Sequence, residues 1–221
     1  MIHPHSNYTP PHDDGLDFIY LDASLVVVNK PAGLLAVPGL GADKQDCLAS
    51  CVRAEFADAL VVHRLDMATS GLLLFARGTE MQRRLSQLFR EREIQKRYVA
   101  VVAGKLEPLS GEIDLPLIGD WPNRPRQKVD PLSGKRSLTR YRLLAHDAGA
   151  GASRVELEPI TGRTHQLRVH MAAIGHPIVG DALYGGDAGS GVGRLLLHAS
   201  ALSFAHPLNA EPLSLASDAP F

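Results

Sequence analysis

Cysteine is nearly absent from this chain: Cys47 and Cys51 are the only two among 221 residues. That count excludes a disulfide framework and a four-cysteine zinc site, and it is the usage of a reducing compartment such as the cytoplasm. Long apolar runs are also lacking. None approaches the ~18 residues of a membrane-spanning helix, so no membrane partner is expected. Residues 1–15 are polar and rich in His and Pro, without the basic start and apolar centre of a signal peptide. They read as a flexible tail, followed by one domain over residues 16–221. Aromatic residues make up only 5%, with a single tryptophan, Trp121. Net charge is −1, which alone gives no reason to expect a polyanionic partner. What remains is 45% hydrophobic and 21% charged, the composition of an ordinary globular chain. Its length allows a core that buries roughly 70% of the unfolded surface.

The average charge conceals a strong asymmetry. Residues 80–97 carry six Lys or Arg against three Glu, and residues 123–142 carry seven against Asp130 alone, so the two segments sum to +9 and the remainder to −10. A basic surface on an acidic body suits a phosphate backbone, where cations displace counterions. Two solvated faces that never meet would give the same composition.

Along the chain, residues 16–22 and 25–29 are strand-like runs forming a hairpin, and the punctuation Lys30-Pro31-Ala32-Gly33 and Val37-Pro38-Gly39 marks a structured loop. Residues 47–56 have helical spacing with Asp46 as N-cap, which puts both cysteines on a buried face. Thr79 caps an amphipathic, basic helix to about residue 93. Residues 95–104, 111–119, 138–145 and 154–158 read as strands, the last two as a hairpin. The loop Asp120-Trp121-Pro122-Asn123-Arg124-Pro125-Arg126-Gln127-Lys128 displays the tryptophan among cations, a pairing that single-stranded RNA exploits. A tryptophan folded back as an apolar plug fits the same composition. Thr161-Gly162-Arg163-Thr164 introduces a helix with Leu167, Met171 and Ile174 on one side, closed by Gly175 and Pro177. Residues 195–205 and 212–215 are final strands. Gly189-Ser190-Gly191-Val192-Gly193 lacks the Lys-Ser/Thr of a P-loop and reads as a surface loop.

Charge in an unusual place draws attention to Val61-Val62-His63-Arg64-Leu65-Asp66-Met67-Ala68-Thr69-Ser70-Gly71, which two apolar runs enclose. A carboxylate taken into a sheet core costs several kcal/mol unless it is paired. The candidate partners of Asp66 are Arg64, Arg163 and Arg168. Arg168 fits best, because it sits beside core-facing Leu167 in the first turns of a helix, where its guanidinium fork can hold a carboxylate. Metal binding is not expected: His165 and His170 are five apart, about 140° around a helix, and no His-Glu-x-x-His occurs. His63-Arg64-Leu65-Asp66 lacks the partner motifs of a protein-kinase catalytic loop.

The stretch His63 to Gly71 resembles the signature of the RluA-type pseudouridine synthases. Asn29-Lys30-Pro31-Ala32-Gly33, Lys96-Arg97-Tyr98-Val99-Ala100, Thr161-Gly162-Arg163-Thr164-His165-Gln166-Leu167-Arg168-Val169-His170 and Gly180-Asp181-Ala182-Leu183-Tyr184-Gly185 fit the same family in the same order. The Trp121 loop is similar to that of the RluA branch, whose members act on a tRNA anticodon loop and a 23S rRNA hairpin. The N-terminal S4 domain of many relatives is not expected, since residues 1–15 leave no room for it. The resemblance implies an α+β pseudouridine synthase catalytic fold, with a mixed, mostly antiparallel sheet, a central cleft and flanking helices. It implies an RNA-modifying isomerase that is cytoplasmic and likewise cofactor-free and metal-free, converting uridine to pseudouridine in structured RNA, as a monomer without an obligate protein partner. It makes Asp66, Tyr98 and Arg168 catalytic. Arg64, which fills the place of the extruded uridine, contacts the substrate with Leu167, Arg163, Trp121, Arg124 and Lys128. An idle RNA-binding or RNA-folding protein on this scaffold, or a carboxylate-dependent nucleoside hydrolase, are the alternatives.

Overall fold

The structure is a computed structural model that describes residues 8–12, 14–186 and 191–221. Most of the expected tail and part of the glycine-rich loop, residues 187–190, lie outside the described residues. Of the tail, Tyr8 is held against the body, its hydroxyl accepting the Leu35 N–H at 3.0 Å.

In chain order the elements are β1 (Phe18–Leu21), β2 (Leu25–Lys30), α1 (Leu48–Glu55), β3 (Ala59–Val61), β4 (Ser70–Arg77), α2 (Thr79–Glu91), β5 (Gln95–Ala103), β6 (Ser110–Asp114), β7 (Leu117–Gly119), β8 (Gln127–Val129), β9 (Leu138–Asp147), β10 (Ala152–Pro159), α3 (Gln166–Ala173), β11 (Leu197–Ala205) and β12 (Pro212–Ala216). Ten strands form one sheet in the order β1-β2-β4-β11-β5-β10-β9-β6, with β3 on β4 and β12 on β11. Only the β4–β11 pair is parallel. The fold is therefore α+β with a mixed, mostly antiparallel sheet.

The continuous apolar runs of β2 and β4 follow from burial on both faces. Val26, Val28, Leu73 and Phe75 pack on Leu48 and Val52 of α1. The alternate residues Leu25, Val27, Leu72 and Leu74 pack on Met81 and Leu85 of α2. A third core joins α3 to β5 and β10 through Ala100, Val102, Val155, Leu157, Leu167 and Met171. Residues 166 to 171 of α3 are all buried, so it is an internal helix rather than an outer one, and its polar members need partners inside. No described helix is long and apolar enough to cross a membrane.

Three local expectations are corrected. Asp46 does not cap α1; Cys47 holds that position without a side-chain bond. The first free N–H groups of α1, on Leu48 and Ala49, instead donate to the Leu35 and Ala36 carbonyls, which makes a side-chain cap unnecessary. Thr79 is the first helical residue of α2, after Gly78 at positive φ, and the helix ends at Glu91. The single strand expected over residues 111–119 breaks at Pro116: β6 stays in the main sheet beside β9, while β7 leaves to pair with β8 as a separate ribbon.

Candidate active site

Asp66 sits in the turn between β3 and β4, and that turn is fixed from below. The Thr69 N–H donates to the Asp66 carbonyl at 3.1 Å, and the Gly33 N–H to the Met67 carbonyl at 2.8 Å. Lys30, fully buried, adds its ammonium to the same Met67 carbonyl at 3.0 Å and to those of Pro31 and Leu34 at 2.8 and 2.7 Å. Burial pulls Lys30 down to about 7 against the opposing pull of Asp66. Three acceptors nonetheless match the three N–H bonds of the charged form, whereas a neutral amine would leave one carbonyl without a donor. His63 closes the other side: its Nε2 accepts the Leu74 N–H at 2.9 Å and its ring lies 4.6 Å from that of Phe89 on α2.

Gly71 permits the parallel pairing behind this turn. It has φ 112°, and a Cβ there would stand 2.3 Å from the Ala199 carbonyl oxygen of β11. Gly180 allows an equally close approach before Asp181, with φ 76° and a Cβ position 1.9 Å from the Arg194 carbonyl oxygen. Both close approaches lock segments that carry a carboxylate of the site.

The expected partner is present, in a different geometry. Nη1 of Arg168 reaches Asp66 Oδ2 at 3.3 Å, but its fork closes on Asp181, with Nε to Oδ2 at 2.8 Å and Nη2 to Oδ1 at 2.7 Å. Burial opposes the Arg168 charge, yet the Asp181 hydrogen bonds outweigh it and raise its basicity. Asp181 is likewise held below the ordinary carboxylate range: its burial is overcome by Arg168 and by the N–H groups of Leu183 and Tyr184. His165 lies beside them, Nε2 3.8 Å from Asp66 Oδ2 and Nδ1 2.7 Å from the Tyr184 hydroxyl. Gln166 secures the approach to α3. Its carbonyl accepts from the Thr161 hydroxyl and the Arg163 N–H, and its amide donates to the Leu138 carbonyl and the Thr139 hydroxyl.

These groups line a cleft of ≈ 560 Å³, within the size range of ligand sites. Its walls bring together Arg64, Asp66, Tyr98, Arg163, Leu167 and Arg168, six of the residues singled out from the sequence, with His63, Arg90, Arg92, Lys96 and His165. Tyr98 is pushed above the ordinary phenol range by burial and then by the Asp66 charge, so it is a neutral phenol. Among the described lining residues Asp66 is the sole carboxylate, against six Lys or Arg. Trp121 and Arg124 line a second cavity, and Thr164 belongs to both cavities, so the tryptophan ribbon stands at the rim of the cleft. Trp121 is 69% exposed with the Arg124 guanidinium over its ring, which excludes the apolar plug. Lys128 lines neither cavity and faces Asp130 at 3.9 Å.

The basic surface is narrower than the charge count implies. Glu80 binds Arg83 and Arg84, Glu112 binds Arg140, Glu156 binds Arg97 and Arg142, and Asp114 lies 3.6 Å from Arg136. Arg64, Arg90, Arg92, Lys96 and Arg163 have no carboxylate partner among the described residues, and all five face the cleft. Asp181, His165, Tyr184 and Lys30 were not selected from sequence as site residues, although each lies in a motif that carried the resemblance. Among the described residues no cluster of three His, Cys, Asp or Glu side chains is placed to hold a metal ion.

A family model described as RNA pseudouridylate synthase matches residues 24–173. The chain is 48% identical over 216 residues to the dual-specificity RNA pseudouridine synthase RluA of Pasteurella multocida, covering 97% of this chain and 98% of that protein. The protein of the same name from Escherichia coli K12 is 46% identical over the same span. Among solved structures, human RNA pseudouridylate synthase domain containing 1 superposes with a TM-score of 0.80 at 32% identity, covering 96% of this chain and 87% of that one.

Proposed function

The chain belongs to the RNA pseudouridylate synthase family and is an enzyme that isomerises uridine to pseudouridine in RNA; from that premise we propose that Asp66 is its reacting carboxylate and that its substrates are a tRNA anticodon stem-loop and a 23S rRNA hairpin. The observation that carries the assignment is the state of Asp66. It is the only carboxylate of a cationic cleft among the described residues, anchored through Oδ2, with no hydrogen-bond partner at Oδ1 among those residues. The free oxygen is the one available to a ribose.

The reaction breaks the C1′–N1 bond, turns the detached uracil and rejoins C1′ to C5; the C5 proton is lost and N1 regains one. Asp66 acts at the sugar, by attack on C1′ or by taking the neighbouring C2′ proton. Tyr98 enters as a neutral phenol, so its first contribution is to stack on the detached ring; it can take the C5 proton only after giving its own phenolic proton to the uracil anion left by C1′–N1 cleavage, which leaves the net exchange of one proton lost at C5 and one gained at N1. Leu167 is the apolar wall opposite. A stacked uridine must first leave the loop, at a cost of a few kcal/mol. Arg64, exposed at the cleft mouth two residues from Asp66, takes the vacated position. Arg90, Arg92, Lys96 and Arg163 hold the phosphates, and Trp121 with Arg124 stacks on unpaired bases at the rim. An RNA substrate supports a cytoplasmic site of action.

The test is Asp66→Asn with an anticodon stem-loop and a ribosomal hairpin as substrates. Pseudouridine formation, read by nucleoside chromatography, is expected to vanish while RNA affinity stays within about twofold of wild type. Undiminished turnover by the variant overturns the assignment. Free uracil from the wild type would indicate a hydrolase, and RNA binding without product an idle binder.

A further inference from the structure

We propose that His165 is a positioning residue for Asp66, held in one tautomer by a hydrogen-bond chain that starts at the backbone of the tryptophan ribbon. The inference rests on the role assigned to Asp66 above. The chain begins at Gln127, the first residue of β8, whose N–H donates to the Tyr184 hydroxyl oxygen at 2.7 Å. With that oxygen already accepting, the phenol proton points to its other neighbour, Nδ1 of His165, also at 2.7 Å. Nδ1 therefore accepts, and a neutral imidazole carries its proton on Nε2. Nε2 is the atom that faces Asp66 Oδ2, at 3.8 Å.

One hydrogen bond, from Arg168 at 3.3 Å, and one longer electrostatic approach, from His165 at 3.8 Å, thus share one oxygen of Asp66. The Arg168 fork is committed to Asp181 and spares only Nη1 for Oδ2, and His165 approaches the same Oδ2 from the start of α3. Oδ2 becomes the anchored atom and Oδ1 the reactive one. A carboxylate rotated out of that orientation would present the wrong oxygen to the ribose. The backbone shows that this placement is imposed: His165 has φ 54° and ψ 17°, a left-handed conformation that an L-residue adopts at a cost. Arg126 and Arg168 both stand over the Tyr184 ring, at 5.4 and 5.2 Å, so the tyrosine is fixed from the ribbon and from α3 together.

Two substitutions separate positioning from mere stability. Asn at 165 reproduces the Nδ1 end of histidine, keeps the bond to Tyr184 and tolerates the left-handed backbone better than most residues, but it has nothing at the Nε2 position. Gln at 165 places its amide nitrogen near the Nε2 position, facing Asp66, and suits that backbone less well. His165→Asn is therefore expected to melt at or near the wild-type temperature yet lose up to about 100-fold in kcat with KM unchanged, the size of effect that follows misplacement of a reacting group. His165→Gln is expected to melt lower yet retain more than about a third of wild-type kcat. Activity that follows thermal stability instead, with the Asn variant near wild type and the Gln variant impaired, overturns the inference. Both variants are compared with Asp66→Asn in the same assay. Full activity of that variant would remove the underlying reading, whereas its inactivity beside an unimpaired His165→Asn would remove only this one.

Discussion

At the scale of single residues, the site is a sequence of charges that each need the next. Asp66 is tolerable on the partly buried turn before β4 because Arg168 stands beside it, and Arg168 is tolerable within an internal helix because Asp181 takes its fork. Asp181→Asn tests that order. Asparagine can still accept from the N–H groups of Leu183 and Tyr184, but it removes the charge that takes the fork and leaves the buried guanidinium only its single contact with Asp66. Removing one partner of a buried pair costs about 3 kcal/mol or more, which for a chain of this size lowers the melting temperature by at least about 6 °C. Thermal denaturation reads the change directly, and an unaltered midpoint would show that Asp181 is not the clamp. From sequence, the cost of burying Asp66 was enough to select Arg168 from three arginines. It could not select Asp181, because nothing local distinguishes that carboxylate from a turn residue: its partner lies 13 positions away, and the glycine that admits it is explained only by the backbone of Arg194. Lys30 was hidden for the same reason, since its three acceptors are carbonyls, which leave no trace in side-chain identity.

At the scale of elements, apolar periodicity located the strands and helices, and failures cluster where tertiary contacts replace local signals. The first N–H groups of α1 find a neighbouring loop rather than Asp46. The end of α2 is more informative. Arg92 occupies the left-handed position after the helix, φ 65°, where glycine is the usual residue, and its N–H caps the Leu88 and Phe89 carbonyls. Three non-glycine residues have positive φ among those described, Arg92, His165 and Ala210, and two of them line the cleft. Strain concentrated at a site is retained for what the side chain does there. Arg92→Gly is therefore expected to stabilise the fold by about 1 kcal/mol, seen as a rise of roughly 2–4 °C in melting temperature, while RNA binding weakens. A titration at several salt concentrations should show the salt dependence of log K reduced by roughly 0.7–0.9, the value of one phosphate contact. A variant that gains stability and keeps the wild-type salt slope would place Arg92 outside the RNA path.

For the whole molecule, a sheet packed on both faces by α1, α2 and α3 has drawn histidines into places where burial resists their protonation. Burial lowers His63 to about 3 and holds His165, His170 and His198 below the ordinary imidazole range. Each is already occupied: His63 accepts from Leu74, His170 bonds Thr139 and the Leu115 carbonyl, and His198 bonds Ser70 and Ser217. Below about pH 6.5 the unfolded chain protonates these rings and the folded chain resists, so unfolding takes up protons and stability falls as pH falls. Every proton withheld contributes a slope of about 1.4 kcal/mol per pH unit. The depressed carboxylates Asp22, Asp130 and Asp181 act mainly below about pH 4 and the exposed Glu80 and Glu107 near the bottom of the interval, which leaves most of pH 4.5–6.5 to the imidazoles. Urea unfolding across that interval is expected to show the midpoint falling with pH. His63→Gln, whose side-chain carbonyl can still accept from Leu74, should flatten the dependence by about one proton's worth. A midpoint constant from pH 6.5 to 4.5 would mean that these rings protonate in the folded state, and that the core around the cleft opens far more easily than its packing implies.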